Sequence, residues 1–247
     1  TTLLVAASLW ACSSAEPTPT PSSTPVDVVA GPETIAFRTA DGIMLEGTLF
    51  VPDRDHPDAG AAVVLLHMFP ADQTSWHEFA ESISDEGFPS LTFDFRGYGE
   101  SDDPREIELI DKDVEAAIDF LGDRGEERII LIGASMGGTA AVIVGSRRSE
   151  TAGIAALSAP PVFMGLDSTE EVQSLAVPSL FMAAENDGSA AFSAEEFSDA
   201  ARKAGSDSFL LVVPGRDHGT RLLEGEQTDP VRTELLEFIR ETGRVSS

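Results

Sequence analysis

One serine has the neighbours that a nucleophile at a sharp turn requires. Ser135 is the centre of Gly133-Ala134-Ser135-Met136-Gly137, which fits G-x-S-x-G. The apolar residues 129–132 precede this pentapeptide, and the small and apolar stretch "TAAVIVG" follows it. The pattern predicts a buried strand, an abrupt turn and a helix, with the serine hydroxyl exposed at the turn. We therefore predict that Ser135 is a nucleophile; the alternative is a glycine loop that only lets helix and strand pack closely.

A serine hydroxyl needs a base to remove its proton, and the chain has four histidines. His56 lies in a polar loop, and His77 lies in a predicted helix. His67 ends a predicted buried strand and is a candidate by its position. His218 follows the last predicted strand, at the carboxyl edge where ligands bind in open α/β sheets. We predict that His218 is the base.

A carboxylate that orients the histidine completes this chemistry. The stretch "AAENDGSA" places Glu185 and Asp187 after another predicted strand. Asp187 is preferred because it lies further into the loop, beside Gly188, and Glu185 stays as the alternative. Asp217 is adjacent to His218 in sequence, but on most backbones it points away from that residue. Its expected role is a salt bridge.

The rest of the chain alternates between strand and helix patterns. Two alternating runs around Asp41-Gly42 predict an N-terminal antiparallel hairpin. Further strands are predicted within residues 61–69, 89–95, 129–132, 153–160, 177–187 and 209–215. Amphipathic helices are predicted between them, one beginning at a capping box of Ser193 and Glu196. The order predicts an α/β fold whose mostly parallel sheet is covered by helices on both faces.

Charge and composition exclude several classes of function. The 247 residues carry 43 acidic against 16 basic side chains, a net charge of −27. Such a surface repels phosphate backbones and anionic lipid heads, so neither a nucleic-acid partner nor electrostatic membrane binding is expected. The spacing of histidines and the single cysteine fits no zinc site. We expect no metal and no organic cofactor.

The N-terminal segment indicates export. The apolar stretch "LLVAASLWAC" ends in Cys12, and "SSAEPTPTPSSTP" follows it. The first stretch resembles a bacterial lipoprotein signal, which implies lipid attachment at Cys12 and a location on the outer face of a bacterial membrane, with secretion as the alternative. The second stretch has no large apolar side chain and is typical of an extended tether. The predicted organisation is signal 1–12, tether 13–32 and catalytic domain 33–247.

The order of Ser135, Asp187 and His218 along the chain resembles the α/β-hydrolase superfamily. "HMF" stands where that family has its oxyanion loop, and "DFRGYGES" resembles the turn after its fourth strand. The front of the domain, "DG-x-x-L-x-G-x-L-x-x-P" from Asp41 to Pro52, resembles serine esterases and dienelactone-hydrolase-like members. The resemblance covers residues 33–242 and implies an α/β-hydrolase fold. Asp94 and Arg96 are interpreted as structural braces of the glycine turn.

The resemblance also implies an oxyanion hole. One donor is the backbone N–H of Met136, and the other comes from the loop after His67. Pro70 has no N–H, so the second donor is Phe69 or Met68, with Phe69 favoured by position. The segment "PVFMGLDSTEEVQSLA" is too short for a large lid. We expect Phe163, Met164 and Met68 to line an acyl pocket, with packing in the core as the alternative for Phe163 and Met164.

These observations predict a serine hydrolase that cleaves carboxylic esters of small to medium size through an acyl-enzyme on Ser135. Within the family, dehalogenases and epoxide hydrolases have aspartate at this position, and true dienelactone hydrolases have cysteine. The alternatives are an amide or peptide hydrolase of the same fold and a lipoprotein that only binds its ligand.

Overall fold

The computed structural model describes residues 30–53 and 60–244. Cys12, most of the predicted tether and His56 lie outside the described residues. The α-helices within them are α1 His77–Asp85, α2 Ile110–Gly122, α3 Met136–Gly145, α4 Ala190–Ala204 and α5 Thr228–Gly243. The strands within them are β1 Gly31–Arg38, β2 Met44–Val51, β3 Ala62–Leu66, β4 Ser90–Phe93, β5 Ile129–Ala134, β6 Thr151–Leu157, β7 Val162–Phe163, β8 Leu166–Asp167, β9 Ser179–Ala184 and β10 Ser208–Val213.

Eight of these strands form one sheet in the order β1-β2-β4-β3-β5-β6-β9-β10. The strands from β4 to β10 in this order are all parallel, while β2 pairs antiparallel with both β1 and β4. The predicted mostly parallel sheet and its N-terminal hairpin are thereby confirmed. Strand β1 begins two residues before the predicted start of the domain at residue 33.

Helices cover both faces of the sheet, as the alternation of elements predicts. The side chains of β5 alternate between two cores: Ile129 packs on the side of α2, α3 and α4, and Ile130 packs on the side of α1 and α5. Every residue of β3 and β5 is buried, which explains why both read as continuous apolar runs. The carboxyl ends of these covered strands therefore form one edge of the sheet.

Several element boundaries differ from those predicted, and two of them lie beside the site. Helix α4 begins at Ala190 rather than at Ser193, so the predicted capping box of Ser193 and Glu196 is wrong. Ser193 is buried inside the helix, where its side chain contributes to a cavity wall. Strand β3 ends at Leu66, because the three residues that follow turn away from the sheet into a loop.

The segment between β6 and β9 is short, as expected for a minimal lid. It holds the two-stranded hairpin of β7 and β8 and a 3-10 turn at Glu171–Ser174. No larger cap stands over the carboxyl edge in the described part of the chain between these strands.

A buried arginine joins the turn of the N-terminal hairpin to helix α2. Arg96 follows β4 and has no exposed surface; its guanidinium donates to Asp113 of α2 at 2.7 and 2.8 Å and to Asp41 at 3.0 and 3.1 Å. The Arg96 guanidinium lowers the pKa of Asp41 below its usual range. Asp94 accepts hydrogen bonds from both nitrogens of Gln73. These contacts agree with the interpretation of Asp94 and Arg96 as structural residues.

Candidate active site

Ser135 lies at the turn between β5 and α3, in a backbone conformation that side-chain-bearing residues rarely adopt. Its φ is +48° and its ψ is −114°. The Ser135 N–H donates to the carbonyl oxygen of Leu157 on β6 at 2.7 Å, and its carbonyl oxygen accepts from Thr139 N–H in α3 at 3.0 Å. Only 5% of the residue is exposed. The strained turn is held from both sides by backbone hydrogen bonds.

The glycines around Ser135 are needed because backbone segments meet at this turn. A Cβ on Gly133 would lie 2.2 Å from the carbonyl oxygen of Gly137. A Cβ on Gly137 would lie 2.4 Å from the carbonyl oxygen of Leu66, at the end of β3. No side chain fits at either position, so these glycines let α3 begin directly against the ends of β3 and β5.

His218 and Asp187 meet although 31 residues separate them in sequence. Nδ1 of His218 lies 2.9 Å from Oδ1 and 2.8 Å from Oδ2 of Asp187. Each follows a strand: Asp187 comes after β9, and His218 comes after β10. The His218 side chain is 40% exposed, while that of Asp187 is 13% exposed. The carboxylate is therefore placed to accept a hydrogen bond from Nδ1–H. Nε2 is then the nitrogen that can accept a proton.

The two other carboxylates considered from the sequence lie elsewhere. Glu185 is exposed at the end of β9. The side chain of Asp217 is directed towards Gly225, where a Cβ would lie 2.2 Å from Oδ2. Among the three predicted candidates, Asp187 is the one whose carboxylate contacts the His218 ring.

Ser135, Asp187 and His218 all line one cavity, which has a volume of about 330 Å³. The remaining lining residues are small or apolar, and none of them is charged: Ser158, Pro160, Phe163, Gly188, Ser189, Ala190 and Ser193. The expected contribution of Phe163 to a pocket agrees with this lining.

Ser158 is a residue of the site that the sequence pattern does not reveal. It follows β6 with a φ of +53°, and it is 1% exposed. Its Oγ accepts a hydrogen bond from the N–H of Gly219 at 3.1 Å, which fixes the backbone directly after His218. Its own N–H donates to Met182 on β9 at 2.7 Å. The contact with Gly219 spans 61 residues, so no local pattern could have identified it.

His67 is fully buried, and both of its ring nitrogens form hydrogen bonds with the backbone, so it is not placed as a base. Its Nε2 accepts the N–H of Phe95 at 3.1 Å, so Nδ1 carries the proton and donates to the carbonyl oxygen of Met68 at 3.1 Å. Burial lowers the pKa of His67 and keeps the ring neutral. Because the Met68 carbonyl and the Phe69 N–H belong to one peptide unit, the bond from His67 fixes the direction of that N–H.

Of the residues predicted for the oxyanion hole, Phe69 and Met68 lie in the loop after β3, and Met136 lies at the start of α3. Met136 is the first residue of α3 and is fully buried, and its Sδ lies 3.8 Å from the hydroxyl of Tyr98. Phe69 is 38% exposed, and its ring centroid lies 6.0 Å from that of Phe163. Met68 is half-buried beside the Gly219 backbone.

Residues 30–53 and 60–244 contain neither a cluster of metal-ligating side chains nor a membrane-spanning helix. No group of three histidine, cysteine, aspartate or glutamate side chains is arranged to hold a metal ion there. Within the same residues, no helix has both the length and the hydropathy that crossing a bilayer demands.

Comparison with known proteins identifies the family. The family model described as alpha/beta hydrolase fold matches residues 61–206, which is more than half of the chain. The chain belongs to the α/β-hydrolase fold family. The order of Ser135, Asp187 and His218 predicted an α/β-hydrolase, and this prediction is confirmed for the family and the fold.

Similar proteins include several kinds of hydrolase. The esterase Pf2001 of Pyrococcus furiosus is 20% identical, with a TM-score of 0.73 over 92% of this chain and 97% of that one. A proline iminopeptidase of Mycobacterium smegmatis is 16% identical, with a TM-score of 0.70 over 85% of this chain and 99% of that one. Both likenesses show the fold.

Among curated proteins, bifunctional epoxide hydrolase 2 of Sus scrofa is 37% identical over 82 residues, which are 32% of this chain and 15% of that protein. The chain spans about half or less of the length of the curated relatives it matches. The family, with esterase and epoxide hydrolase neighbours, supports a hydrolase.

Replacing the buried histidine by glutamine should flatten the pH dependence of stability. The pKa of His67 is lower in the folded chain than in the unfolded one, so the unfolded chain binds the extra proton. The contribution of neutral His67 to the free energy of unfolding is complete above about pH 6.5. It is lost as the pH falls below this value, with a slope of up to about 1.4 kcal/mol per pH unit. We expect His67→Gln to remove this slope in urea unfolding between pH 7.5 and 5.5.

His77→Gln is the matched variant, because burial also lowers the pKa of that half-buried histidine. We expect His77→Gln to flatten the pH dependence of stability less than His67→Gln does. Parallel curves for wild type and His67→Gln would contradict the prediction, since they would mean that His67 binds its proton equally well in both states.

Proposed function

We propose that the protein is a serine hydrolase that cleaves carboxylic esters of small to medium size through an acyl-enzyme on Ser135. The observation that carries the proposal is the contact of His218 Nδ1 with both carboxylate oxygens of Asp187, beside a cavity that Ser135 also lines. A carboxylate on Nδ1 stabilises the cation that forms when Nε2 accepts a proton. This arrangement supplies the base that an unactivated serine lacks.

In the proposed mechanism, Nε2 of His218 removes the Ser135 proton while Oγ attacks the ester carbonyl carbon. The carbonyl oxygen becomes an oxyanion. As this intermediate collapses, His218 gives its proton to the leaving alcohol and the acyl group stays on Oγ. A water molecule then attacks the acyl group with His218 again as the base, and the acid and free Ser135 are released.

Two backbone N–H groups are proposed to hold the oxyanion. Met136 begins α3, so its N–H is not used within the helix and lies at the positive end of the helix dipole. The second donor is Phe69, and the hydrogen bond from His67 to the Met68 carbonyl supports this choice over Met68 because it orients the Phe69 N–H. Donors fixed before the reaction stabilise the transition state most effectively.

The nucleophile favours ester hydrolysis over the epoxide chemistry named for some relatives. The residue at the turn is a serine, whereas the family's epoxide hydrolases have aspartate there. The uncharged walls of the cavity suit an uncharged acyl group. The likeness in fold to a proline iminopeptidase makes amide hydrolysis the second candidate.

Removal of the nucleophile should abolish turnover. We expect Ser135→Ala to lower kcat for p-nitrophenyl butyrate by roughly 10⁴-fold or more, with an unchanged unfolding midpoint. Ser193→Ala is the matched control: Ser193 is also a serine of the cavity wall, but it is not placed as a nucleophile. A fluorophosphonate should label the wild type and Ser193→Ala, but not Ser135→Ala.

Substrate choice in the same assay separates the remaining alternatives. Faster hydrolysis of short esters than of aminoacyl amides supports the esterase, and the reverse order would favour the amide hydrolase. A protein that neither reacts with the fluorophosphonate nor cleaves any of these substrates would be a binding protein that keeps the fold.

The two carboxylates after β9 should differ sharply in their effect on activity. Asp187→Asn keeps the shape but cannot stabilise the His218 cation, so we expect kcat to fall by about 10⁴-fold. Glu185→Gln changes an exposed side chain and should leave kcat within about twofold. Equal losses in the two variants, or a larger loss in Glu185→Gln, would reverse the assignment. The measurement is ester turnover at pH 8.

We further propose that the protein is exported and attached to the outer face of a bacterial membrane through a lipid on Cys12. The support is the N-terminal sequence alone, since Cys12 lies outside the described residues. A Cys12→Ala variant expressed with its signal should move from the membrane fraction to the soluble fraction. A variant that stays with the membrane would contradict lipidation at this residue.

A further inference from the structure

Most of the large apolar side chains that are exposed in the described residues belong to segments that also carry residues of the site. Within the described residues, the exposed large hydrophobic side chains are Phe69 at 38%, Val162 at 55%, Met164 at 62%, Phe192 at 62% and Phe209 at 43%. The first four contact residues that line the cavity or lie close to them in sequence, and they are called the collar here. Only Phe209, on β10, lies elsewhere. A cluster of this kind on an acidic surface indicates a contact with apolar matter.

The collar residues are neighbours of residues that line the cavity. Val162 and Met164 stand on either side of Phe163, which lines the cavity wall. The ring of Phe163 in turn contacts the ring of Phe69. On the other side, Phe192 lies in the first turn of α4, between the cavity-lining residues Ala190 and Ser193. The collar thus has members near both Phe163 and the start of α4.

Met164 occupies its position at a conformational cost. It lies at the turn between β7 and β8 with a φ of +44°, and Gly165 follows with a φ of +98°. Turns with two successive positive φ angles favour Asn-Gly, because asparagine tolerates this region far better than methionine. Methionine is neither required by the turn nor buried within the fold. A ligand contact explains both its exposure and its strained backbone.

Charge selects the kind of chain that the collar accepts. The cavity lining has no charged side chain except Asp187 and His218, which contact each other. Beside the hairpin, Gly165 packs against the side chain of Glu108, and β8 ends at the exposed Asp167. These carboxylates disfavour an anionic acyl group. The cavity volume is also at the lower end of the range for small-molecule sites, so a longer group extends out of it.

We propose that the collar binds the apolar acyl chain of an uncharged ester where this chain projects beyond the cavity. The inference rests on the proposed function, and it names medium-chain aliphatic esters as the preferred substrate class. The chain enters between Phe163 and the start of α4, and its distal methylenes lie on Met164 and Phe192.

A second copy of the protein fits the collar less well. A stable interface buries about 800 Å² on each partner, whereas a fully buried aromatic side chain supplies only about 150–250 Å². Four side chains that are 38% to 62% exposed offer well below the required area. An acyl chain needs no more than a narrow apolar path.

The experiment compares kcat/KM for p-nitrophenyl octanoate and p-nitrophenyl acetate, both below their aggregation concentrations. The collar variants are Met164→Asn and Phe192→Ser. Phe69 is left unchanged because its N–H is a proposed oxyanion donor. Phe209→Ser is the matched control, since it makes the same substitution as Phe192→Ser at an exposed position away from the collar.

We expect the octanoate-to-acetate ratio of kcat/KM to fall about fivefold in each collar variant. The reason is that the methylene groups of the octanoyl chain lose their contact with the apolar side chain that was replaced. The ratio should stay at the wild-type value in Phe209→Ser. Met164→Asn should unfold at the wild-type temperature or above it, because asparagine suits the turn; a purely structural role for Met164 would leave the ratio unchanged.

An unchanged ratio in both collar variants, with acetate turnover that still requires Ser135, would overturn this inference and leave the proposed function standing. A fall of equal size for both esters would also overturn it, because the collar would then shape the site rather than bind the chain. A dimer in sedimentation experiments that both collar variants dissociate would assign the collar to a second copy. Absence of any ester turnover in the wild type would overturn the proposed function together with this inference.

Discussion

The close approach of three backbone segments at Ser135 is the constraint on which the site depends. Gly137 lies so close to the Leu66 carbonyl that no Cβ fits between them, and Gly133 meets Gly137 in the same way. The direction of the Ser135 hydroxyl is therefore set by the backbone rather than by side-chain packing. The remaining members of the site reach it from the carboxyl ends of β6, β9 and β10, which the parallel sheet brings to the same edge.

Buried polar contacts hold the loops that carry these members. Ser158 fixes the Gly219 backbone beside His218, and His67 fixes the peptide unit before Phe69. In each case a buried side chain satisfies a backbone group of a loop that carries the site, so a movement of that loop would leave a buried polar group unpaired. Loops that would otherwise be adaptable are thereby held in place before any substrate binds.

Local patterns predicted the elements well, because strand and helix periods are properties of neighbouring residues. The order of elements and the turn at Ser135 followed from such patterns. The start of α4 was predicted wrongly because Ser193 has the residue type of a helix cap but is buried in a cavity wall. Ser158 could not be found, since its role comes from a positive φ and a distant contact. The arginine at residue 96 binds carboxylates that no spacing in the sequence relates.

The direction of β1 determines at which rim of the sheet the chain enters the domain. Strand β1 is antiparallel to β2, and β2 is antiparallel to β4, so β1 runs the same way as the parallel strands. The polypeptide thus enters the sheet at Gly31, on the rim where the parallel strands start, whereas the nucleophile lies on the far rim where they finish. Under the proposed anchorage through the N-terminal segment, the tether would join the domain at the rim opposite the nucleophile and leave the rim with the opening free of the attachment.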